Sequence, residues 1–144
     1  FTDEEPEKQS AAILLLDINP AYFHILHTDY NDEKYKEAAS SLAIAAKEKI
    51  SNPCFLIAGS HAATDAEAIL RSFEEVIGTH VNVFGGMAGD DFTFSEQFVF
   101  TNGWQSKKGL VVLALDENAI NIKGVATCGW KAVGRERVIF RFWI

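Results

Sequence analysis

Val83-Phe84-Gly85-Gly86-Met87-Ala88-Gly89-Asp90-Asp91 joins a short apolar run to a glycine-rich stretch that ends in two adjacent carboxylates. Glycine lacks Cβ, so the backbone there can enter positive φ and let another surface come close. Val81, Val83 and Phe84 lead into the glycines, and Phe92, Phe94, Phe98, Val99 and Phe100 follow them. The spacing predicts that Gly85, Gly86 and Gly89 make a turn where two buried strands change direction, with Asp90 and Asp91 on its lip. Such a lip is a candidate edge of a binding site. The same residues also suit a plain tight turn whose Asp pair accepts local backbone hydrogen bonds.

Two phosphate-binding readings of this stretch fail. A Walker-type loop closes on Lys-Ser/Thr, and a dinucleotide fingerprint needs a third glycine opening a helix that faces the pyrophosphate. Here Asp90-Asp91-Phe92-Thr93-Phe94-Ser95 alternates like a strand and carries two negative charges that repel phosphate.

Upstream, Cys54-Phe55-Leu56-Ile57-Ala58 reads as a strand. Thr64 and Glu67 then suggest a capping box for a helix over 65–77, with Ala66, Ile69, Leu70, Phe73, Val76 and Ile77 as its buried stripe. Gly78 stops it, and Val81 to Phe84 supplies a second strand, which completes a βαβ unit with parallel strands. Before this unit, Tyr35, Ala38, Ala39, Leu42, Ala45, Ala46 and Ile50 recur at helical spacing over 32–50, with Asn31 or Asp32 as cap and Ser51-Asn52-Pro53 as stop. Ala11 to Ile18 is a continuous apolar run, short enough for a strand buried on both faces. Tyr22 to Leu26 suits a strand or an irregular stretch.

After the glycines the pattern changes to consecutive strands over 96–101, 109–115 and 120–128, separated by Asn102-Gly103 and Asp116-Glu117-Asn118. Short polar connections of this kind make hairpins. The fold class expected is α/β: a mixed sheet with a βαβ unit followed by antiparallel strands, and helices packed on the sheet. No linker-like tract divides the chain, so residues 1–144 read as one domain.

Composition narrows the function. The chain has 144 residues, 48% of them hydrophobic, and a formal net charge of −7 without a Lys or Arg cluster. That charge balance excludes a nucleic-acid or anionic-lipid footprint and favours small molecules or proteins as partners. No apolar run approaches the ~20 residues of a membrane helix, and the first residues are acidic, unlike a signal peptide. The two cysteines, Cys54 and Cys128, lie in apolar runs as free thiols would in a reducing compartment, so a cytoplasmic setting is expected. The absence of an initial Met and the apolar end Phe140-Arg141-Phe142-Trp143-Ile144 suggest a fragment whose terminus meets a covering partner.

Catalytic patterns are weak. His24 and His27 are the only two of the four histidines close in sequence, and in an extended segment they point to opposite faces. No Cys or carboxylate stands beside them at zinc-ligand spacing, so no metal site is expected. Haem held by one axial histidine leaves no spacing signature and stays open. Ser60-His61 lies in a strand-to-helix connector without the Gly-x-Ser-x-Gly frame of a nucleophile elbow. Asp90 and Asp91 are neighbours and face opposite ways on a strand, which suits acid–base catalysis poorly. Trp104, Trp130 and Trp143 are candidate pocket walls, and Trp130 stands out because Gly129 beside it and Gly134 soon after leave room for a guest. No enzyme activity is expected.

Four blocks together carry a resemblance: Phe84 to Phe92, Phe98 to Gly103, Gly109 to Leu115, and Gly129-Trp130-Lys131-Ala132-Val133-Gly134. In order and spacing they resemble the amino-terminal half of a FIST domain over roughly Ser10 to Arg137. The resemblance implies a sensory module of a signalling protein that recognises a small ligand, with an amino acid as the ligand class. Some bacterial members are linked to haem and nitric oxide sensing. It further implies a carboxy-terminal FIST half or an output domain as partner. Gly85, Gly86, Gly89, Asp90, Asp91 and Trp130 are the ligand-binding candidates, and self-association into a homo-oligomer stays open. The alternative expectation is a non-catalytic protein-interaction scaffold with no ligand of its own.

Overall fold

A computed structural model describes residues 13–31, 34–60, 64–90 and 96–125. Six strands and two α-helices follow in chain order: β1 (Phe23–Asp29), α1 (Tyr35–Lys49), β2 (Pro53–Gly59), α2 (Ala66–Ile77), β3 (Val83–Met87), β4 (Val99–Thr101), β5 (Trp104–Ser106) and β6 (Gly109–Asp116). The main sheet has the order β1-β6-β2-β3, while β4 and β5 form a separate two-stranded hairpin. β6 runs antiparallel to β1 and β2, and β3 runs parallel to β2 with α2 as the crossover. The expected mixed α/β sheet and its βαβ unit are therefore present.

Register sorts every strand residue onto one of two faces, because successive side chains alternate. The rows His24–Ala114–Phe55–Val83, Leu26–Val112–Ile57–Gly85 and Thr28–Leu110–Gly59–Met87 lie on the face that the helices cover. There α1 contributes Ala39, Leu42, Ala43 and Ala46, a stripe at helical spacing whose alanines let the helix approach closely. From α2, Ile69 and Phe73 are buried, and the Phe73 ring meets Phe55 edge-on with centroids 5.4 Å apart. Truncating a buried phenylalanine of this kind typically costs about 3–5 kcal/mol. Leu70, expected in the buried stripe, points away and is 42% exposed, because the stripe of α2 runs through Ser72 instead. The Ser72 hydroxyl is satisfied by donating to the Ala68 carbonyl at 2.8 Å.

Both helix starts differ from expectation. The cap of α2 is Asp65, whose Oδ1 accepts from the Ala68 N–H at 3.1 Å. Thr64 is instead engaged through its hydroxyl with Tyr30 Oη at 2.9 Å, so the capping box does not form. A cap one residue later that also donates its full negative charge to the helix start outcompetes a neutral hydroxyl. α1 starts at Tyr35 after Lys34, with no side-chain cap; Asp32 lies outside the described residues, and Asn31 contributes its carbonyl to the Lys34 N–H.

Three strand expectations need correction. Ile13, Leu14 and Leu15 are 82%, 79% and 87% exposed and belong to no strand, since apolar character creates a strand only where a sheet edge receives it. Ile120 to Val125 is not a strand either: Asp116 closes a turn, accepting from the N–H groups of Ala119 and Ile120. Residues 126–128 lie outside the described residues. Finally, the expected 96–101 strand shortens to β4, and its hairpin partner across Asn102-Gly103 is the unforeseen β5. Gly103 supplies positive φ there.

Cys54 is a free, buried thiol on the outer row Phe23–Leu115–Cys54. Burial, followed by the charges of Glu117 and Asp116, pushes its pKa from 9.0 up to about 11. A raised folded-state value means that the stabilising contribution is complete below pH 9 and is lost as pH rises towards 11. Chemical denaturation across that window should show the native protein losing stability more steeply than Cys54→Ala, which lacks the group.

Candidate functional site

The glycine-rich stretch does not begin as a turn. Gly85 and Gly86 lie inside β3, paired with Ile57 and Ala58 of β2, and the chain leaves the sheet only at Ala88, whose N–H donates to the Gly59 carbonyl at 2.6 Å. The parallel ladder carries the strand through the glycines because the missing side chain of Gly85 permits a close approach that no other residue allows. A Cβ on Gly85 would stand 1.9 Å from the Ile57 carbonyl oxygen, and Gly85 has φ 149°. Gly86 differs: its Cβ position meets nothing within 4 Å and opens on the outer face. Met87 then crosses over Gly59, where a Cβ would fall 2.6 Å from its sulfur. Gly89 and Asp90 follow β3, with Gly89 exposed and Asp90 half-buried and engaged by neighbouring groups. Asp91 and Trp130 lie outside the described residues, so the expected meeting of the acidic pair with the indole is not on view.

This stretch shares its end of the sheet with other polar groups. β1 and β2 both oppose β6, and β3 parallels β2, so the carboxyl ends of β1, β2 and β3 lie together. α1 and α2 start after β1 and β2 and therefore begin at that same end. Open α/β sheets hold ligands outside the carboxyl ends of their strands. Along that end run Asp29, Gly109, Ser60 and Ala88. Ser60 is buried and locked, its Oγ accepting from the Gly109 N–H at 2.8 Å, which leaves a structural latch rather than a nucleophile. Its sequence neighbour His61 is outside the described residues.

A cluster that joins the candidate Trp104 to two residues the sequence did not link to it stands at the β1 side. His27 and Trp104 stack with ring centroids 4.4 Å apart and planes 31° apart. Trp104 Nε1 donates to Asp29 Oδ2 at 3.3 Å. The indole also lies against Gly109, whose Cβ would meet its Cη2 at 2.7 Å. Trp104 thus clasps the hairpin to the sheet. The signal available in the sequence was the alternation His27, Asp29 along one strand face, but nothing local links position 104 to position 27.

The described histidines are spread apart: His27 has a ring face against Trp104, His24 is half-buried in the row with Ala114 and Phe55, and His80 is exposed in a turn. Among the described residues no group of three or more His, Cys, Asp or Glu is placed to hold a metal ion, and no helix is long and apolar enough to cross a membrane. A groove of about 610 Å³ lies between the helix starts, lined by residues including Lys36, Glu37, Asp65, Glu67, Arg71 and Glu75. Its charges compensate one another on an exposed surface, as in the Glu67–Arg71 pair, and Asp65 is committed to capping. It is a solvated seam between helices.

The fold is a mixed α/β sheet with a glycine-bearing edge strand, β3. The family model of the FIST N domain matches residues 2–142, and the chain belongs to that family. The family is associated with sensory signal transduction. No curated protein and no solved structure matches the chain.

The two glycines of β3 should separate in mutagenesis. Gly85→Ala forces a backbone clash and a disfavoured φ, and should cost about 3 kcal/mol or more in chemical denaturation. Gly86→Ala should change stability by no more than about 1 kcal/mol. Trp104→Leu should leave global unfolding nearly unchanged while hydrogen exchange across 99–106 accelerates about tenfold.

Proposed function

We propose that this FIST N domain is a non-catalytic, small-ligand-binding sensory domain of a signal transduction protein, with an amino acid as the ligand. Gly85, Gly86, Gly89 and Asp90 border the site, joined by Asp91 and Trp130. The observation that carries the reading is the open outer side of Gly86 at the carboxyl end of the sheet, four residues before the half-buried Asp90. A glycine that is needed neither for φ nor for backbone clearance leaves room for a guest. Asp90 then supplies a carboxylate for an ammonium group, a charge-assisted contact worth about 1.5–3 kcal/mol. Domain partners are a carboxy-terminal FIST half or an output domain that reads occupancy, and the free, buried Cys54 supports a cytoplasmic setting.

A second reading, an interaction scaffold without its own ligand, draws support from exposed apolar side chains: Ile13 to Leu15 and Phe100, the last 75% exposed. Calorimetry on the full-length protein with the common amino acids separates the two. Sensing predicts saturable heat for at least one of them and affinity about tenfold or more weaker in Asp90→Asn or Asp91→Asn, with unchanged thermal unfolding of the free proteins. Equal affinity in both variants removes the proposed carboxylate role, and no heat from any amino acid favours the scaffold.

A further inference from the structure

The geometry points to a second wall of this site: Asp29, His27 and Trp104 receive the cationic nitrogen of a ligand whose aliphatic chain lies across the outer face towards Gly86. The inference rests on the ligand-binding reading above and adds the residues and the ligand chemistry at the far side.

Register connects the two walls. His27 pairs with Val111, Val111 with Ala58, and Ala58 with Gly86, so one row crosses the outer face from the Trp104 stack to the open glycine. Four strands in that row span about 14 Å. Beside it runs a higher row, Ile25–Leu113–Leu56–Phe84, in which Ile25 and Leu56 are 54% and 49% exposed. On the other side stands the hairpin, held by Trp104 over Gly109. The floor is thus apolar and low, with large apolar side chains along one flank.

The chemistry of the β1 end is specific. Asp29 Oδ2 accepts the indole N–H, and among the described residues its Oδ1 has no protein donor. The His27–Trp104 stack presents the indole edge to that carboxylate and holds both side chains in place. A carboxylate oxygen left open beside an apolar surface accepts a charge-assisted hydrogen bond from an alkylammonium group. The hairpin's own Lys107 does not compete, being paired with Glu96. The open carboxylate oxygen is an acceptor, and it favours a cationic donor over an anion. The ligand class is therefore an alkylammonium compound, which includes amino acids with a basic side chain and aliphatic diamines.

The test uses full-length protein with nitrogen-15-labelled tryptophan. The Trp104 indole N–H resonance is assigned by its loss in Trp104→Phe. n-Pentylammonium should shift that resonance saturably, 1-pentanol should not, and Asp29→Asn should weaken the pentylammonium response about tenfold or more. Asparagine keeps an oxygen for the indole N–H, so Asp29→Asn preserves the clasp, and hydrogen exchange over 99–106 checks this. Equal shifts from pentylammonium and pentanol, or an undiminished response in Asp29→Asn, overturn the cation wall. Asp90→Asn keeps the two readings apart. Ligand binding that depends on Asp90 and ignores Asp29 retains sensing at the glycine stretch and overturns only the wall. A pentylammonium response lost in Asp29→Asn and intact in Asp90→Asn supports the wall.

Discussion

β6 opposes both of its neighbours, and most of the architecture follows from that placement. An eight-residue strand bonded on both sides holds β1 and β2 pointing the same way, and the α2 crossover adds β3 in the same sense. Its inner residues Leu110, Val112 and Ala114 are fully buried beneath the helices, so the strand is fixed by burial as well as by hydrogen bonds. One end of the sheet thereby collects three strand carboxyl ends and both helix starts. Whatever recognises a ligand there can come from sequence positions as distant as Asp29 and Asp90.

Two glycines that look equivalent in the sequence serve different physical ends. Gly85 sits on the inner row and is required by the backbone of β2, because a side chain there would occupy the Ile57 carbonyl. Gly86, one residue on, faces the opposite side and is required by nothing in the described structure. Alternation of faces thus gives the two residues of a single dipeptide different constraints. A turn would have mixed the two roles, since both residues would then have answered to the same φ constraint.

How much of this was legible in the sequence depended on whether the decisive contact was local. The helices were visible because Ala39, Leu42 and Ala46 on α1, and Ile69 and Phe73 on α2, repeat at a period fixed by the helix itself. The βαβ unit followed from the same local grammar. Ile13 to Leu16 misled, because an apolar run states a need for cover without stating that a strand edge supplies it. The Gly85-Gly86 pair misled for a related reason: the sequence contains the freedom to turn, but the parallel ladder with Ile57 and Ala58 decides that the chain stays extended. β5 was hidden by its three-residue length. Of the site candidates, Gly85 and Gly86 lie inside β3 and only Gly89 and Asp90 follow it, while the His27–Trp104–Asp29 cluster joins residues with no local relation, so that the sequence offered Trp104 as a pocket wall without its partners.

The outer face completes the chain of consequence. Helices cover the inner face only, yet the outer rows carry Phe23, Ile25, Leu113, Leu56 and Phe84, too many large apolar groups for a face meant solely for water. Local devices already occupy its rim: Trp104 lies over Gly109 at one end, and Gly124 packs on Phe84 so tightly that a Cβ there would stand 2.1 Å from the ring. Both contacts use a glycine to let a second segment lie flat against the sheet. Between them the row His27–Val111–Ala58–Gly86 descends in side-chain size towards β3. Glycine thus serves the outer face twice as a seat for a packed segment, at Gly109 and Gly124, and once as an open position, at Gly86.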